Sequence, residues 1–171
     1  MESDPLYVQT MGNLSDGLHC AEAVTLAVLR AFGRADPLPA VRVASAFGGG
    51  IAGSTQELCG AFTGGVIALG SLLGREQAGR ELKDCARHVK LFKEGFLAEF
   101  GSLQCRALLD AQAEQGQAAP SCAHITARAA SLLGGLLREK PLLLNPAALS
   151  QAQCCGPQLA PGACPFGGCG C

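Results

Sequence analysis

The chain has 171 residues, with 13 lysines and arginines against 14 aspartates and glutamates, which gives a formal net charge of -1 at pH 7. This balance excludes the basic surface on which nucleic-acid binding depends, so we predict no nucleic-acid partner. Hydrophobic residues make up 49% of the chain, yet tryptophan is absent and tyrosine occurs once, which indicates a core of small and aliphatic side chains. The length fits one domain with a modest core plus an appendage.

The opening segment, MESDPLYVQTMGNLSDG, contains acidic residues and no apolar signal segment, so we expect a cytoplasmic protein. The chain also contains ten cysteines. In a chain without an export signal, this number of cysteines indicates metal binding or redox chemistry rather than a framework of structural disulfides.

The first predicted helix covers residues 17–32, where Ser15 and Asp16 supply N-cap side chains. Nearly all residues in its middle are apolar, so we expect this helix to be enclosed on most sides. A short helix is predicted over 41–47.

A second long helix is predicted to begin at the capping-box pair Ser54 and Glu57 and to end at Gly74. It contains four glycines, each about 1 kcal/mol less favourable than alanine in a helix interior: Gly60, Gly64, Gly65 and Gly70. Such a set indicates close approach to the backbone, either by another helix or by a bulky inorganic group. The same apolar surface fits a homodimer contact or burial within the monomer. No membrane span is predicted, because the uncharged stretch is shorter than the ~20 residues that a span needs.

From residue 75 to residue 100, apolar side chains recur every three or four positions and charged side chains occupy the rest of the helical wheel, up to a stop at Gly101. Ser102 and Ser121 then cap two further helices, the second ending at about Glu139. We therefore predict an all-α fold, a compact bundle of about five helices over residues 1–140. Residues 141–171, here called the tail, have no charged side chain and are rich in Pro, Gly, Gln and Cys, so they are predicted to be irregular.

Four cysteines share one position in the predicted helices, within roughly the first turn or two after a capping residue: Cys20, Cys59, Cys105 and Cys122. The positive end of a helix and its free N–H groups lower the pKa of a thiol, and the thiolate is the form that binds metal or attacks a disulfide. We expect the four to act together, on a metal cluster or as reactive thiols. Cys85 lies mid-helix on an apolar stripe and is interpreted as core packing.

The three histidines, His19, His88 and His124, do not form a metal-spaced set. His19 beside Cys20, and His124 two residues after Cys122, are candidate auxiliary ligands or hydrogen-bond donors, although a surface role is commoner for histidine. No phosphate loop, dinucleotide fingerprint or Ser/His/Asp order is present in the sequence.

The segment FGGGIAGSTQELCGAFTGG, with HCAEAV upstream and FGSLQCRALL downstream, resembles the C_GCAxxG_C_C family of redox-active proteins. The resemblance runs from about Cys20 to Cys122, and the four signature cysteines of the family fall on Cys20, Cys59, Cys105 and Cys122. A similar module occurs in split-Soret cytochrome c proteins, where it is associated with an iron-sulfur site. The resemblance therefore implies an iron-sulfur cluster held by these four thiolates. The chain has no CxxCH, so a covalent c-type haem is not implied.

The tail carries five more cysteines in the segment CCGPQLAPGACPFGGCGC: Cys154, Cys155, Cys164, Cys169 and Cys171. Their spacing matches no standard zinc or ferredoxin pattern. Prolines and glycines would let the chain wrap a soft metal ion or a second cluster. Thiol exchange with the core cysteines, or no metal role at all, are the alternatives.

The leading interpretation is an electron-transfer protein, in which the four core cysteines ligate one cluster, with [2Fe-2S] favoured, and a separate protein is the redox partner. A thiol-disulfide oxidoreductase that uses two of the same cysteines is the second, weakened by the lack of a CxxC motif. A soft-metal protein built on the tail is the third. The sequence leaves open whether the protein is an enzyme.

Overall fold

The computed structural model describes residues 4–114 and 122–139. Within these residues the chain forms seven α-helices and no strand: α1 Pro5–Ser15, α2 Cys20–Ala31, α3 Leu38–Ala44, α4 Gly60–Leu73, α5 Lys83–Phe100, α6 Cys105–Glu114 and α7 Cys122–Glu139. A 3₁₀ turn, Ser45–Phe47, continues α3. The all-α prediction is confirmed, and the number of helices is higher than the predicted five.

Helix α1 is the one helix among the described residues that the sequence analysis did not predict. The Asp4 side chain accepts the N–H of Leu6 at 3.1 Å, and Pro5 occupies the first turn, where its missing N–H costs nothing. Leu6 and Thr10 are buried, and the helix packs against α2 and α7. The Asp-Pro pair is the sequence signal that would have predicted this helix.

The predicted cap of α2 is wrong, because Ser15 and Asp16 belong to the end of α1. The helix starts at Cys20, with His19 as its N-cap. The carboxylate of Glu22 accepts the backbone N–H of His19 at 2.7 Å, so a capping interaction is present three residues further along the chain than predicted.

The predicted capping box of α4 is wrong for a similar reason. The Ser54 hydroxyl donates to the carbonyl of Gly50 and accepts the N–H of Gln56 at 3.2 Å, so it closes a turn within the preceding loop. The helix itself begins at Gly60, with Cys59 as the N-cap. The pair Ser54 and Glu57 therefore lies in the loop before α4 and does not indicate where the helix begins.

The later helices agree better with the sequence. Helix α5 ends at Gly101, whose φ of 77° is the left-handed conformation of a common helix stop, and α7 spans the predicted range. The start of α5 is eight residues later than the apolar pattern suggested, at Lys83 rather than residue 75. Phe92 and Phe96, which belong to the recurring apolar positions of this segment, are buried, and so is His88, whose Nδ1 lies 2.7 Å from the carbonyl oxygen of Asp84 in the same helix.

Helices α2 and α4 form the centre of the bundle and contact each other through their backbones. A Cβ atom at Gly64 would collide with the backbone of Ala21, and one at Gly65 would collide with the ring of Phe92. The Thr25 hydroxyl donates to the carbonyl of Gly64 at 3.0 Å, across the same contact. These two glycines are therefore explained by close packing within one chain. A homodimer stays a prediction.

None of the described helices is long and apolar enough to cross a membrane. The tail lies outside the described residues, together with the five cysteines predicted to form a second metal site: Cys154, Cys155, Cys164, Cys169 and Cys171. The predicted cap Ser121 also lies outside them. The boundary between a helical domain over 1–140 and the tail therefore stays a prediction.

Candidate functional site

The four cysteines singled out by the sequence all lie at helix starts. Cys20, Cys105 and Cys122 are the first residues of α2, α6 and α7, and Cys59 is the N-cap of α4. Cys20, Cys59 and Cys105 are buried, whereas Cys122 is exposed. Each cysteine therefore lies at the positive end of a helix. This end stabilises a thiolate more than the interior of a helix does.

A short antiparallel contact between two loops fixes Cys59 and Cys105 relative to each other. The Cys59 N–H donates to the carbonyl of Leu103 at 2.7 Å, and the Cys105 N–H donates to the carbonyl of Glu57 at 3.0 Å. Both bonds use backbone atoms alone. The positions of the two cysteines therefore do not depend on their own thiols.

The same contact continues one residue further and holds the glycine-rich loop over residues 48–55. The Arg106 N–H donates to the carbonyl of Thr55 at 3.0 Å, and the Arg106 guanidinium donates to the Thr55 hydroxyl at 2.7 Å. This loop lies against two of the cysteines. The Gly49 N–H donates to the Cys20 sulfur at 3.4 Å, and a Cβ atom at Gly50 would lie 2.9 Å from the Cβ of Cys105.

The loop is strained at three residues that follow the two glycines in contact with the cysteines. Ile51, Ala52 and Thr55 have φ values of 58°, 51° and 58°, in the left-handed region that costs a residue with a side chain about 1–2 kcal/mol. Such strain persists only where the surrounding structure imposes it, and it is concentrated at functional sites. The strained residues therefore lie beside the part of the loop that contacts Cys20 and Cys105.

All four thiols interact with one another. The Cys122 thiol donates a hydrogen bond to Cys20, and in every other pair the charge of one sulfur raises the pKa of another. A Cβ atom at Gly60 would collide with the Cys20 sulfur, so the glycine after Cys59 makes room for it. Four residues far apart in the sequence thus form one site. Among the described residues, no group of three or more His, Cys, Asp or Glu side chains could hold a metal ion in this arrangement.

The four thiols differ in their protonation. The hydrogen bond from Cys122 lowers the pKa of Cys20 to about 6, and the Gly49 N–H contributes in the same direction. Burial raises the pKa of Cys59 to about 12 and also raises the pKa of Cys105. The pKa of Cys122 is raised, because its proton is held by the Cys20 sulfur. At neutral pH the site therefore contains one thiolate and three thiols.

Of the candidate auxiliary residues, His19 is the one that acts on the site, since its charge helps to lower the pKa of Cys20. The ring of His124 instead meets Tyr7, whose hydroxyl lies 3.1 Å from Nδ1. Cys85 is half-buried in the first turn of α5, and burial raises the pKa of its thiol. The far end of α5, at Phe100, is the end that leads to Cys105. Cys85 lies fifteen residues before it, which is about 22 Å along the helix axis.

The sequence did not predict the hydrogen bond between Cys20 and Cys122, nor the strained loop that lies against Cys20 and Cys105. The hydrogen bond depends on how α2 and α7 pack together, which no local sequence pattern specifies. The second uses Ile51 in a conformation that isoleucine disfavours. A run of three glycines at 48–50, just ahead of it, was the signal available for an unusual backbone.

A family model described as "Putative redox-active protein (C_GCAxxG_C_C)" matches residues 18–136, which is more than half of the chain. The matched segment contains all four cysteines of the site and the Gly60 and Gly64 contacts beside them. No curated protein and no solved structure matches the chain. The helix starts, the glycine contacts and the family match agree, and the chain belongs to the C_GCAxxG_C_C family.

Proposed function

We propose that the protein binds an iron-sulfur cluster, with [2Fe-2S] favoured, through Cys20, Cys59, Cys105 and Cys122, and transfers electrons to a protein partner. The observation that carries this proposal is the interaction of all four thiols with one another at four helix starts. Four cysteine thiolates are the usual ligand set of both [2Fe-2S] and [4Fe-4S] clusters. When bound, such a cluster supplies a one-electron redox couple.

The residues present fit this group by the chemistry of their donors, and the four sulfurs would have to move relative to one another on binding, because among the described residues no three such side chains are placed to hold one metal ion. Four thiolates around ferric iron give a site of net negative charge, which helix N-termini and N–H groups directed at sulfur stabilise. The Gly49 N–H already donates to the Cys20 sulfur at 3.4 Å. The other three thiols are protonated at neutral pH, so they must release three protons when they become ligands. Binding is therefore expected to improve as the pH rises.

Anaerobic reconstitution of the full chain with iron and sulfide tests the proposal. We expect a coloured protein with two iron and two acid-labile sulfide ions per chain for a [2Fe-2S] cluster. Replacing the five tail cysteines with serine should leave that content unchanged, because the core cysteines are the ligands. A folded protein that stays colourless and free of iron would contradict the proposal. Loss of the iron on replacement of the tail cysteines would assign it instead to the predicted soft-metal site.

The hydrogen bond between Cys20 and Cys122 favours a second candidate function, thiol-disulfide exchange by this pair. One sulfur is a thiolate and the other is an exposed thiol, the two partners that an exchange reaction needs. Exchange with a substrate disulfide would oxidise Cys20 and Cys122 to one disulfide and reduce the substrate to two thiols. Equilibration of the metal-free chain in graded glutathione buffers, followed by peptide mapping, should then find a bond between these two cysteines.

The protonation of Cys20 gives a pH-dependent prediction for the metal-free chain. Ultraviolet absorbance of thiolate should show one group that ionises near pH 6, the pKa to which Cys20 is lowered. Cys122→Ala removes the largest cause of that lowering, so the midpoint should move upward, toward the value of about 8.5 for an ordinary thiol. Cys20→Ser should abolish the transition. A midpoint near pH 6 that survives in Cys122→Ala would show that the two thiols are not in contact.

A further inference from the structure

The glycine-rich loop over residues 48–55 directs one backbone N–H at a sulfur of the cysteine site. The Gly49 N–H donates to the Cys20 sulfur at 3.4 Å. An N–H group held toward a sulfur stabilises negative charge on it, whether that sulfur is a free thiolate or a thiolate bound to a cluster. The contacts that hold the Gly49 N–H in this direction therefore act on the chemistry of Cys20.

The backbone of the loop is unfavourable without support from other parts of the chain. Five consecutive residues, 49–53, have positive φ values between 51° and 73°. Glycine adopts such values freely, but two of the five are Ile51 and Ala52, whose side chains make the conformation unfavourable. Thr55 has a φ of 58° as well. Such a conformation persists where the surrounding structure imposes it, so contacts outside the loop must supply the support.

Three hydrogen bonds form a chain from α6 to the Cys20 sulfur. The Arg106 guanidinium donates to the Thr55 hydroxyl at 2.7 Å. The Thr55 N–H donates to the Gly49 carbonyl at 2.8 Å, and the Gly49 N–H donates to Cys20. The Arg106 N–H also donates to the Thr55 carbonyl at 3.0 Å, so one arginine bonds both the backbone and the side chain of Thr55. The guanidinium bond is the link that a side-chain substitution can remove.

Close packing couples Thr55 to Gly49 a second time. A Cβ atom at Gly50 would lie 2.9 Å from the Cα of Thr55, so Thr55 packs directly against the residue that follows Gly49. A displacement of Thr55 would change the position of Gly49 through this contact as well as through the hydrogen bond to its carbonyl. The direction of the Gly49 N–H therefore depends on where Thr55 is held.

We propose that Arg106 is a positioning residue of the cysteine site, which acts through Thr55 to hold the Gly49 N–H toward the Cys20 sulfur. Where it concerns a bound cluster, the inference rests on the proposed iron-sulfur function, because hydrogen bonds to the sulfurs help to set the reduction potential of a cluster. The hydrogen bond itself is a property of the metal-free chain and can be tested without a cluster.

Nuclear magnetic resonance of the full, metal-free chain tests the hydrogen bond through the amide proton of Gly49. Cys20→Ala should move its resonance upfield, because the acceptor is lost. Arg106→Met removes the guanidinium and should also move the resonance upfield and make hydrogen exchange about tenfold faster, the effect of one lost hydrogen bond. Thr55→Val removes the hydroxyl with little change of shape and should have the same effect as Arg106→Met.

The double variant Arg106→Met/Thr55→Val shows whether the arginine acts through the threonine. Its effect on Gly49 should be no larger than that of either single substitution, because each removes the same bond. Arg34→Met is the matched control. Arg34 is also exposed, and its guanidinium donates to the carbonyl of Ser71 at 3.0 Å, beyond the end of α2 opposite to Cys20. Its replacement should leave the Gly49 amide unchanged.

The reduction potential of the reconstituted chain is the second readout. Arg106→Met should bind as much iron as the parent chain but have a lower potential, because the Cys20 sulfur loses a donor that stabilises the added negative charge of the reduced state. Arg34→Met should have the potential of the parent chain, and circular dichroism would verify that each variant is folded. A parent chain that binds no cluster contradicts the proposed function, and the amide measurements then decide this inference alone. The inference is overturned if the Gly49 amide is unchanged in Arg106→Met, if the effects of the two substitutions add, or if a cluster forms and its potential is unchanged.

Discussion

Cys59→Ser is expected to leave the reconstituted protein with less than about a tenth of the iron of the parent chain, while the helical content stays unchanged. The iron is lost because a serine hydroxyl does not replace a thiolate as a ligand of a cluster. The fold persists because Cys59 is held by a backbone hydrogen bond to Leu103, and serine is itself a favourable N-cap for α4. Iron and sulfide per chain, together with circular dichroism, measure the two effects.

Cys85→Ser is the matched control for this experiment. Cys85 is also a free thiol with a pKa raised by burial, but it lies in the first turn of α5, at the end of that helix opposite to the one that leads to Cys105. Its replacement should leave the iron content unchanged. If Cys85→Ser lost the iron and Cys59→Ser kept it, the assignment of the ligands would be wrong.

The same variant separates the two candidate functions. A cluster needs all four thiolates, so its loss on replacement of Cys59 should equal its loss on replacement of Cys20. Disulfide exchange needs only Cys20 and Cys122, so Cys59→Ser should retain it and Cys20→Ser should not. The comparison therefore works even in a protein that performs both reactions under different conditions.

The sequence predicted the class of fold because apolar spacing and helix stops are local signals, as at Gly101 and along α5. It placed the starts of α2 and α4 wrongly because serine and aspartate side chains also close turns in loops, as Ser54 does. The four cysteines were predicted as one set from helix starts and from the family resemblance. Their role as ligands stays a prediction.

What the sequence did not supply are the contacts made between elements distant in the chain. The hydrogen bond from Cys122 to Cys20 joins residues on α7 and α2, and the loop contact at Glu57 and Leu103 joins the starts of α4 and α6. Both depend on how whole helices pack, which periodicity does not specify.

Gly64→Ala is expected to lower the free energy of unfolding by about 3 kcal/mol, because the new methyl group would collide with the backbone of Ala21. Backbone atoms in the middle of a packed helix pair cannot move aside as the end of a flexible side chain can. Relief therefore requires α2 and α4 to separate, which also weakens the hydrogen bond from Thr25 to Gly64. Urea unfolding of the metal-free chain measures the loss.

Gly70→Ala in the same helix should have the opposite effect and raise the free energy of unfolding by about 1 kcal/mol, because Gly70 is exposed and no described atom lies near its Cβ position. Equal effects of the two substitutions would show that α2 and α4 do not meet at Gly64. Ala21 follows Cys20, and Gly64 lies one turn beyond Gly60, the residue that makes room for the Cys20 sulfur. Separation of these helices in Gly64→Ala should therefore also reduce the iron bound after reconstitution, whereas Gly70→Ala should bind as much iron as the parent chain.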